Sequence, residues 1–164
     1  MFGKQRDQNL FRPEPAREDY SAAINLDPNR FDVWEGRARV YLQLHMWDKS
    51  VADYSRAIQV DPHVHTAWWH RGLAYLELKQ WDEAAANFTR IVEEWPTGAE
   101  GWYLRGVAYA QLNQPDKAVA DFRQAIAKEM KDMGRFNSDT RLEPLRANDQ
   151  FKKLLYELET KKAR

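Results

Sequence analysis

The stretch TAWWHRGLAYLELKQWDEA, residues Thr66 to Ala84, carries three tryptophans and a histidine. It decides the fold because its pattern recurs at a fixed distance along the chain. Trp68 is preceded by Trp34 and followed by Trp102, and each of the two intervals is thirty-four positions long. A tyrosine follows each tryptophan at seven positions, namely Tyr41, Tyr75 and Tyr109. A period of this length predicts an array of repeated structural units.

Further positions recur in the same register. Small residues stand four and sixteen positions after each tryptophan, and an aromatic residue stands twenty positions after it: Ala38, Gly72, Gly106; Ser50, Ala84, Ala118; Tyr54, Phe88, Phe122. Offsets 0, 4 and 7 lie on one face of a helix, and offsets 16 and 20 lie on one face of the next helix. Each repeat is therefore predicted to be a helical hairpin.

The ends of these hairpins are also marked. Pro62 and Pro96 stand at the same distance after the first two tryptophans, and the residue before a proline is disfavoured in a helix. The third repeat has Met130 at the equivalent position. The missing proline predicts that the second helix of this repeat continues toward Met133.

The residues at these spacings resemble those of the tetratricopeptide repeat (TPR) family. The resemblance implies an all-α fold, a right-handed superhelix, or α-solenoid, of stacked helical hairpins with three full repeats at 31–64, 65–98 and 99–132. A half-repeat precedes them at 14–30, so that the array spans 14–132, and residues 1–13 are expected to be irregular or a degenerate first helix. Within 133–164 we predict a linker and a C-terminal capping helix, because Phe151, Leu154, Leu155 and Leu158 form an apolar helical stripe.

Composition limits the classes of partner. The 164 residues include 25 Lys plus Arg and 25 Asp plus Glu, so no net charge attracts a nucleic acid backbone or an acidic membrane. The neutral charge and the length of the repeat also disfavour the RNA-binding pentatricopeptide class. The N-terminus lacks the apolar core of a signal peptide, and no apolar run is long enough to cross a bilayer. These observations predict a cytoplasmic protein that contacts neither nucleic acid nor membrane.

The sequence offers no pattern typical of catalysis. His63, His65 and His70 have an HxHxxxxH spacing, but the first two fall in a predicted turn and we expect no carboxylate nearby to complete a metal site. A phosphate-binding glycine loop, a Gly-x-Ser-x-Gly elbow and a His-Glu-x-x-His pair are all missing from the sequence. We therefore predict a protein that is not an enzyme, with no catalytic residue, cofactor or metal.

The resemblance also implies a binding surface, because the first helices of TPR arrays line a concave groove. The groove residues that it implies here are Glu35, Arg39, Trp69, His70, Leu73, Glu100, Tyr103 and Val107. Trp69 is the first choice as an anchor for a partner, since aromatic residues dominate binding hot spots. The alternative is that neighbouring helices or the C-terminal tail cover Trp69 and Tyr103.

The groove residues also indicate which partner to expect. Some members of the family bind the acidic C-terminal tails of chaperones through lysine, asparagine and arginine. Glu35 and Glu100 stand where lysines are required, and His70 and Leu104 where asparagine and arginine are required, so that chaperone tails are disfavoured. A basic or apolar segment is expected instead. The predicted function is a noncatalytic scaffold that holds a peptide or helix of another protein. The alternative is a self-assembling or structural fragment of a longer TPR array, a homo-oligomer formed through the incomplete N-terminal repeat.

Overall fold

The computed structural model describes residues 13–130 and 132–162. The chain divides into two compact units, one ending at Pro62 and the other beginning at His63. Almost the whole segment 1–13, for which a degenerate first helix was predicted, lies outside the described residues.

The described residues of the first unit form three helices, α1 (Pro13–Leu26), α2 (Phe31–Gln43) and α3 (Trp47–Val60). Helix α1 packs on α2, and α2 packs on α3. The α1 and α2 helices approach closely at Gly36, where a β-carbon would overlap the ring of Tyr20. The α2–α3 hairpin buries Ala38 and Tyr54 completely.

The second unit continues the helical pairs. Its elements are α4 (His65–Glu77), α5 (Trp81–Glu94), α6 (Ala99–Gln111), α7 (Pro115–Ala127), α8 (Arg135–Ser138), a 3₁₀ helix (Thr140–Leu145) and α9 (Asp149–Lys162). The pairs α4–α5 and α6–α7 form hairpins, and α5 packs on α6. The described residues contain no strand, which confirms the all-α class of stacked hairpins.

The recurring small and aromatic residues form the core in both units. No solvent reaches the residues at offsets 16 and 20 from each tryptophan: Ser50, Ala84, Ala118, Tyr54, Phe88 and Phe122. Ser50 is tolerated there because its hydroxyl donates a hydrogen bond to the Ala38 carbonyl at 2.9 Å. The repeating tryptophans are only half-buried. In the second unit the Trp102 indole N–H donates to the Pro96 carbonyl at 3.1 Å, across the turn before α6.

An arginine three positions after each tryptophan connects the two helices of its hairpin. Arg37 donates two hydrogen bonds to the Asp53 carboxylate, at 2.6 and 2.9 Å. Arg105 does the same with Asp121, at 2.7 and 2.8 Å. The Arg105 guanidinium also lies 4.8 Å from the centroid of the Trp102 ring. These arginines lie over the aromatic rings and also form largely buried ion pairs.

A left-handed residue ends the first helix of every hairpin. His45, Lys79 and Asn113 have φ of 56°, 57° and 55°, and the following backbone N–H bonds to a carbonyl five positions earlier. Glu129, with φ 59°, ends α7 in the same way. The predicted continuation of this helix toward Met133 is therefore wrong, because the left-handed turn stops it at Ala127 without a proline.

The C-terminal helix packs in register with the array. Gln150 of α9 donates to Asp116 of α7 at 2.9 Å, and the Arg123 guanidinium lies 2.7 Å from the Glu157 carboxylate. The two residues of each pair are separated by one repeat length. Phe151 is fully buried, as a cap over the apolar end of α7 requires. None of the helices in the described residues is long and apolar enough to cross a bilayer.

Candidate functional site

An apolar pocket in the second unit is the candidate site. It has a volume of about 260 Å³ and is formed by residues from α4, α5, the turn after α5, and α6. Its lining residues are His65, Thr66, Trp69, Ile91, Trp95, Gly98, Glu100 and Gly101, called here the Trp69 pocket. Of the predicted groove residues, it contains Trp69 and Glu100.

Helix periodicity explains how α4 contributes to this pocket. Trp69 directly follows the core tryptophan Trp68, about 100° around the helix, and is partly buried. Its ring meets the buried Phe88 ring nearly at right angles, with centroids 5.7 Å apart. This edge-to-face arrangement is a favourable one for two aromatic rings.

Two glycines open the opposite side. A β-carbon on Gly101 would lie 3.0 Å from Ile91 Cγ2, so that a side chain there would compete for the space above Ile91. Gly98 precedes α6 and is exposed. Equivalent positions one repeat earlier are Val64 and Ala67, both buried. The two glycines therefore make room that larger side chains would fill.

Charged groups flank the pocket. The His65 ring nitrogen Nδ1 lies 3.3 Å from the Glu94 carboxylate, and Glu94 also pairs with Arg90. Glu100 accepts two hydrogen bonds from Arg135 Nη1, at 2.6 and 2.8 Å, although its side chain remains 45% exposed. A carboxylate thus lies beside His65. Even so, the described residues include no group of three side chains that could hold a metal ion.

Tyr103 and Val107, predicted to line the groove, are fully buried. The expectation that their side chains are accessible is wrong, and the alternative that the C-terminal tail covers Tyr103 is correct. The Phe136 ring of α8 packs on Tyr103 with centroids 5.4 Å apart, and the 3₁₀ helix packs on α6. The segment 135–145 thus covers the face of α6 that carries Tyr103. A signal for this was present, since Phe136 follows Trp102 by one repeat length and continues the tryptophan period.

Polar contacts hold this segment in place. The Tyr103 hydroxyl donates to Asp139 at 2.8 Å, and Arg141 donates to the same carboxylate at 2.7 Å. Burial opposes ionisation of Asp139, but the hydrogen bonds from Arg141 and Tyr103 prevail and lower its pKa to about 2. Burial, with the hydrogen bond to Asp139, raises the pKa of Tyr103. The network keeps Asp139 charged and Tyr103 protonated.

The other predicted groove residues have different surroundings. His70 is committed to its own helix, because its Nδ1–H donates to the Thr66 carbonyl at 2.8 Å. Leu73 is partly buried against the core. In the first unit Arg39 is 59% exposed and lies 3.9 Å from Glu35, whose side chain is 12% exposed. Neither Glu35 nor Arg39 lines the Trp69 pocket.

Sequence reasoning missed Trp95, Gly98, Gly101 and Ile91. A departure from the repeat pattern could have revealed the first of them. The residue before the exit proline is aspartate in the first two cases, Asp27 and Asp61, but tryptophan in the third. An aromatic residue where a polar one is usual is a reason to examine this turn.

Comparison with known proteins supports the helical-repeat fold. A family model described as "Tetratricopeptide repeat" matches residues 36–99 and 71–132. Similar solved structures include MamA, with 21% identity, a TM-score of 0.70, and coverage of 74% of this chain and 71% of that one. The structure of MamA from residue 41 to the end, from Desulfovibrio magneticus RS-1, is 19% identical, has a TM-score of 0.71, and is matched over 91% of this chain and 86% of that one. YrrB, described as a TPR protein with an unusual peptide-binding site, is 18% identical, has a TM-score of 0.73, and is matched over 85% of this chain and 72% of that one. No curated protein matches the sequence.

Proposed function

The chain belongs to the tetratricopeptide repeat family, and on that premise we propose that it is a noncatalytic module that holds a segment of a partner protein in the Trp69 pocket. One observation carries the proposal. A nearly apolar pocket whose Trp69 ring packs on the buried Phe88 ring is a suitable anchor site for a partner side chain. The similarity to YrrB is consistent with peptide binding, since that protein is described as having a peptide-binding site. Action in the cytoplasm stays a prediction from the sequence.

Binding would occur by burial of apolar surface against a preformed pocket. Trp69 packs on Phe88, and its neighbours lie on helices or at a helix end, so that little ordering is required on this side. Tyr103 contributes indirectly in this arrangement, because it contacts Phe136 and Asp139 of the segment 135–145. The contact surface is therefore smaller than the groove predicted from the sequence, because it lacks the buried Tyr103 and Val107.

A pull-down from a lysate of the source organism tests the proposal. The wild-type chain is compared with Trp69→Ala and with Tyr156→Ala, which removes a 68% exposed aromatic ring from α9, remote from the pocket. We expect at least one protein to be retained by wild type and Tyr156→Ala but lost with Trp69→Ala. Circular dichroism establishes that the variants are folded. Equal retention by all three chains would contradict a role for the pocket.

Self-assembly is a second candidate, favoured by one observation in the first unit. The Leu26 side chain at the end of α1 is 88% exposed, and Phe31, at the start of α2, is 36% exposed. Exposed apolar side chains can mark a contact with another chain. Sedimentation velocity over a hundredfold concentration range, with Leu26→Glu as the comparison, tests this. A mass that stays monomeric throughout would exclude it.

A further inference from the structure

The segment 135–145 shows which side chains pack on the α6–α7 hairpin of the second unit. Phe136 has no solvent exposure and packs on Tyr103 and Phe122, with centroid distances of 5.4 and 5.3 Å. The preceding Arg135 binds the Glu100 carboxylate, and its guanidinium lies 4.1 Å from the centroid of the Tyr103 ring. An arginine followed by phenylalanine therefore binds an aromatic pair beside an acidic side chain.

The same aromatic pair occurs one repeat earlier. Trp69 and Phe88 precede Tyr103 and Phe122 by one repeat length, and their centroids lie 5.7 Å apart, compared with 5.6 Å for the later pair. Over the later pair the space is filled by Phe136. Trp69 also lines the Trp69 pocket, with about 260 Å³ of space, whereas Phe88 is fully buried and does not line it. A cavity of about 150 Å³ holds benzene, so this one admits a single aromatic side chain.

Glu100 links the two places. It lines the Trp69 pocket and also binds Arg135, and with 45% of its side chain exposed it can accept another donor. A carboxylate offers about four acceptor positions, of which Arg135 uses two. Glu94 lies at the His65 side, where it is already paired with Arg90. A partner's arginine would gain a charge-assisted hydrogen bond at Glu100, whereas a partner's carboxylate would meet like charge there.

From this internal precedent we infer that the Trp69 pocket takes an aromatic side chain of a partner protein, with an arginine next to it in the partner's sequence that binds Glu100. The inference rests on the proposed function and specifies its ligand. The aromatic ring supplies the buried contact on Trp69, and the arginine supplies orientation and selectivity. Arg135 and Phe136 are the intramolecular counterpart of such a ligand.

Three short peptides test the ligand chemistry on the whole chain. They are acetylated and amidated hexapeptides, Gly-Gly-Arg-Phe-Gly-Gly, Gly-Gly-Glu-Phe-Gly-Gly and Gly-Gly-Arg-Ser-Gly-Gly, titrated into ¹⁵N-labelled protein to about 5 mM, a range that detects weak contacts of few residues. We expect the Arg-Phe peptide to shift the backbone amides of Gly98 and Gly101 and the indole N–H signals of Trp69 and Trp95. The other two peptides should bind at least about tenfold more weakly, since each lacks one of the two contacts.

Two variants locate the contacts. Glu100→Gln should lower the affinity for the Arg-Phe peptide about tenfold by removing the carboxylate, while Tyr156→Ala should leave this affinity unchanged. Because Glu100→Gln also removes a partner of Arg135, the backbone amide spectrum of residues 135–145 in the variant is first compared with that of wild type. The deciding readout is the selectivity, that is, the ratio of the affinities for the Arg-Phe and Glu-Phe peptides. Loss of that selectivity in the variant supports the inference. Retention of it overturns the role of Glu100.

Other outcomes also decide the inference. Equal binding of the Arg-Phe and Glu-Phe peptides overturns the requirement for a basic neighbour, and no binding by any of the three overturns the ligand chemistry. Shifts of the same signals on concentrating the protein alone show that a second copy fills the pocket, which also overturns it. If the pull-down depends on Trp69 but no peptide binds, the proposed function stands and only this inference fails.

Discussion

Tyr103 and Asp139 are joined by a hydrogen bond of 2.8 Å between residues far apart in sequence. This contact decides which part of the surface is available to a partner. Tyr103 lies on α6, where the TPR resemblance implies a groove, and Asp139 lies between α8 and the 3₁₀ helix. Together with Phe136, the bond seats the C-terminal segment on α6 and leaves the Trp69 pocket open beside it.

The Asp139 carboxylate should give the chain an acid-sensitive step in stability. Its pKa is lowered from the usual 3.8 to about 2 in the folded state. A group whose pKa is depressed on folding stabilises the fold above its unfolded pKa, and this stability is lost as pH falls through the folded value. We expect the free energy of unfolding of the wild type to fall between pH 4 and about 2.

Urea titrations at several pH values within that window check this expectation. Asp139→Asn should flatten the decline, because the side chain no longer titrates. Asp149→Asn is the matched control, since the Asp149 side chain is 97% exposed and should leave the decline as it is in wild type. Parallel curves for wild type and Asp139→Asn would contradict the assignment.

Gly106 should not tolerate a side chain. A β-carbon there would lie 2.5 Å from Phe122 Cε1, and Phe122 is fully buried. Alanine gains up to about 1 kcal/mol in helix propensity, but overpacking typically costs about 1–3 kcal/mol. We expect Gly106→Ala to lower the free energy of unfolding by about 1–2 kcal/mol in chemical denaturation. Gly98→Ala, whose β-carbon would meet no atom closer than 3.6 Å, should cost less than about 1 kcal/mol.

The ion pair between Arg105 and Asp121 should be costly to break from one side. Their side chains are 14% and 6% exposed, and Asp121→Ala leaves the arginine without its carboxylate. Loss of one member of a buried pair costs about 3 kcal/mol. Asp121→Asn should cost less, because one repeat earlier the Asn87 side-chain oxygen accepts a hydrogen bond from Arg71 at 3.0 Å. Equal losses for the two variants, measured by urea denaturation, would show that the acceptor is unimportant.

Lys79 offers a stabilising substitution. Its φ of 57° is in the left-handed region, which costs a residue with a β-carbon about 1 kcal/mol relative to glycine. We expect Lys79→Gly to raise the free energy of unfolding by up to that amount. Gln80→Gly is the comparison, because Gln80 has φ −88° and glycine there only adds freedom to the unfolded chain. A thermal melt in which both variants lose stability would contradict the expectation.

Much of the fold was predictable because its signals are local. The repeat period places Trp68, Ala84 and Phe88 in one hairpin, and helical geometry assigns each to a face. The end of α7 was predicted wrongly for a related reason. The sequence marks helix ends by proline, whereas Glu129 ends this helix through a left-handed backbone conformation that is uncommon for glutamate and that its residue type does not indicate.

The candidate site was less predictable, because it depends on which side chains meet from different elements. Trp69 was identified from its place directly after the repeating tryptophan. Trp95, Gly98 and Gly101 come from a turn and a helix start, where no periodicity indicates a face. The accessibility of Tyr103 depended on the segment 135–145, which follows the three repeats. Within this segment only Phe136 continues the tryptophan period of the repeats.

The repeat length, the helical hairpins and the small and aromatic residues at their core can all be read from the sequence, since they follow from spacing along a helix. The burial of Tyr103 and the pocket beside Trp69 become visible only in the folded chain. They depend on contacts between residues far apart in sequence, which no local pattern indicates. Phe136 fills the space over one aromatic pair, and glycines leave space beside the other.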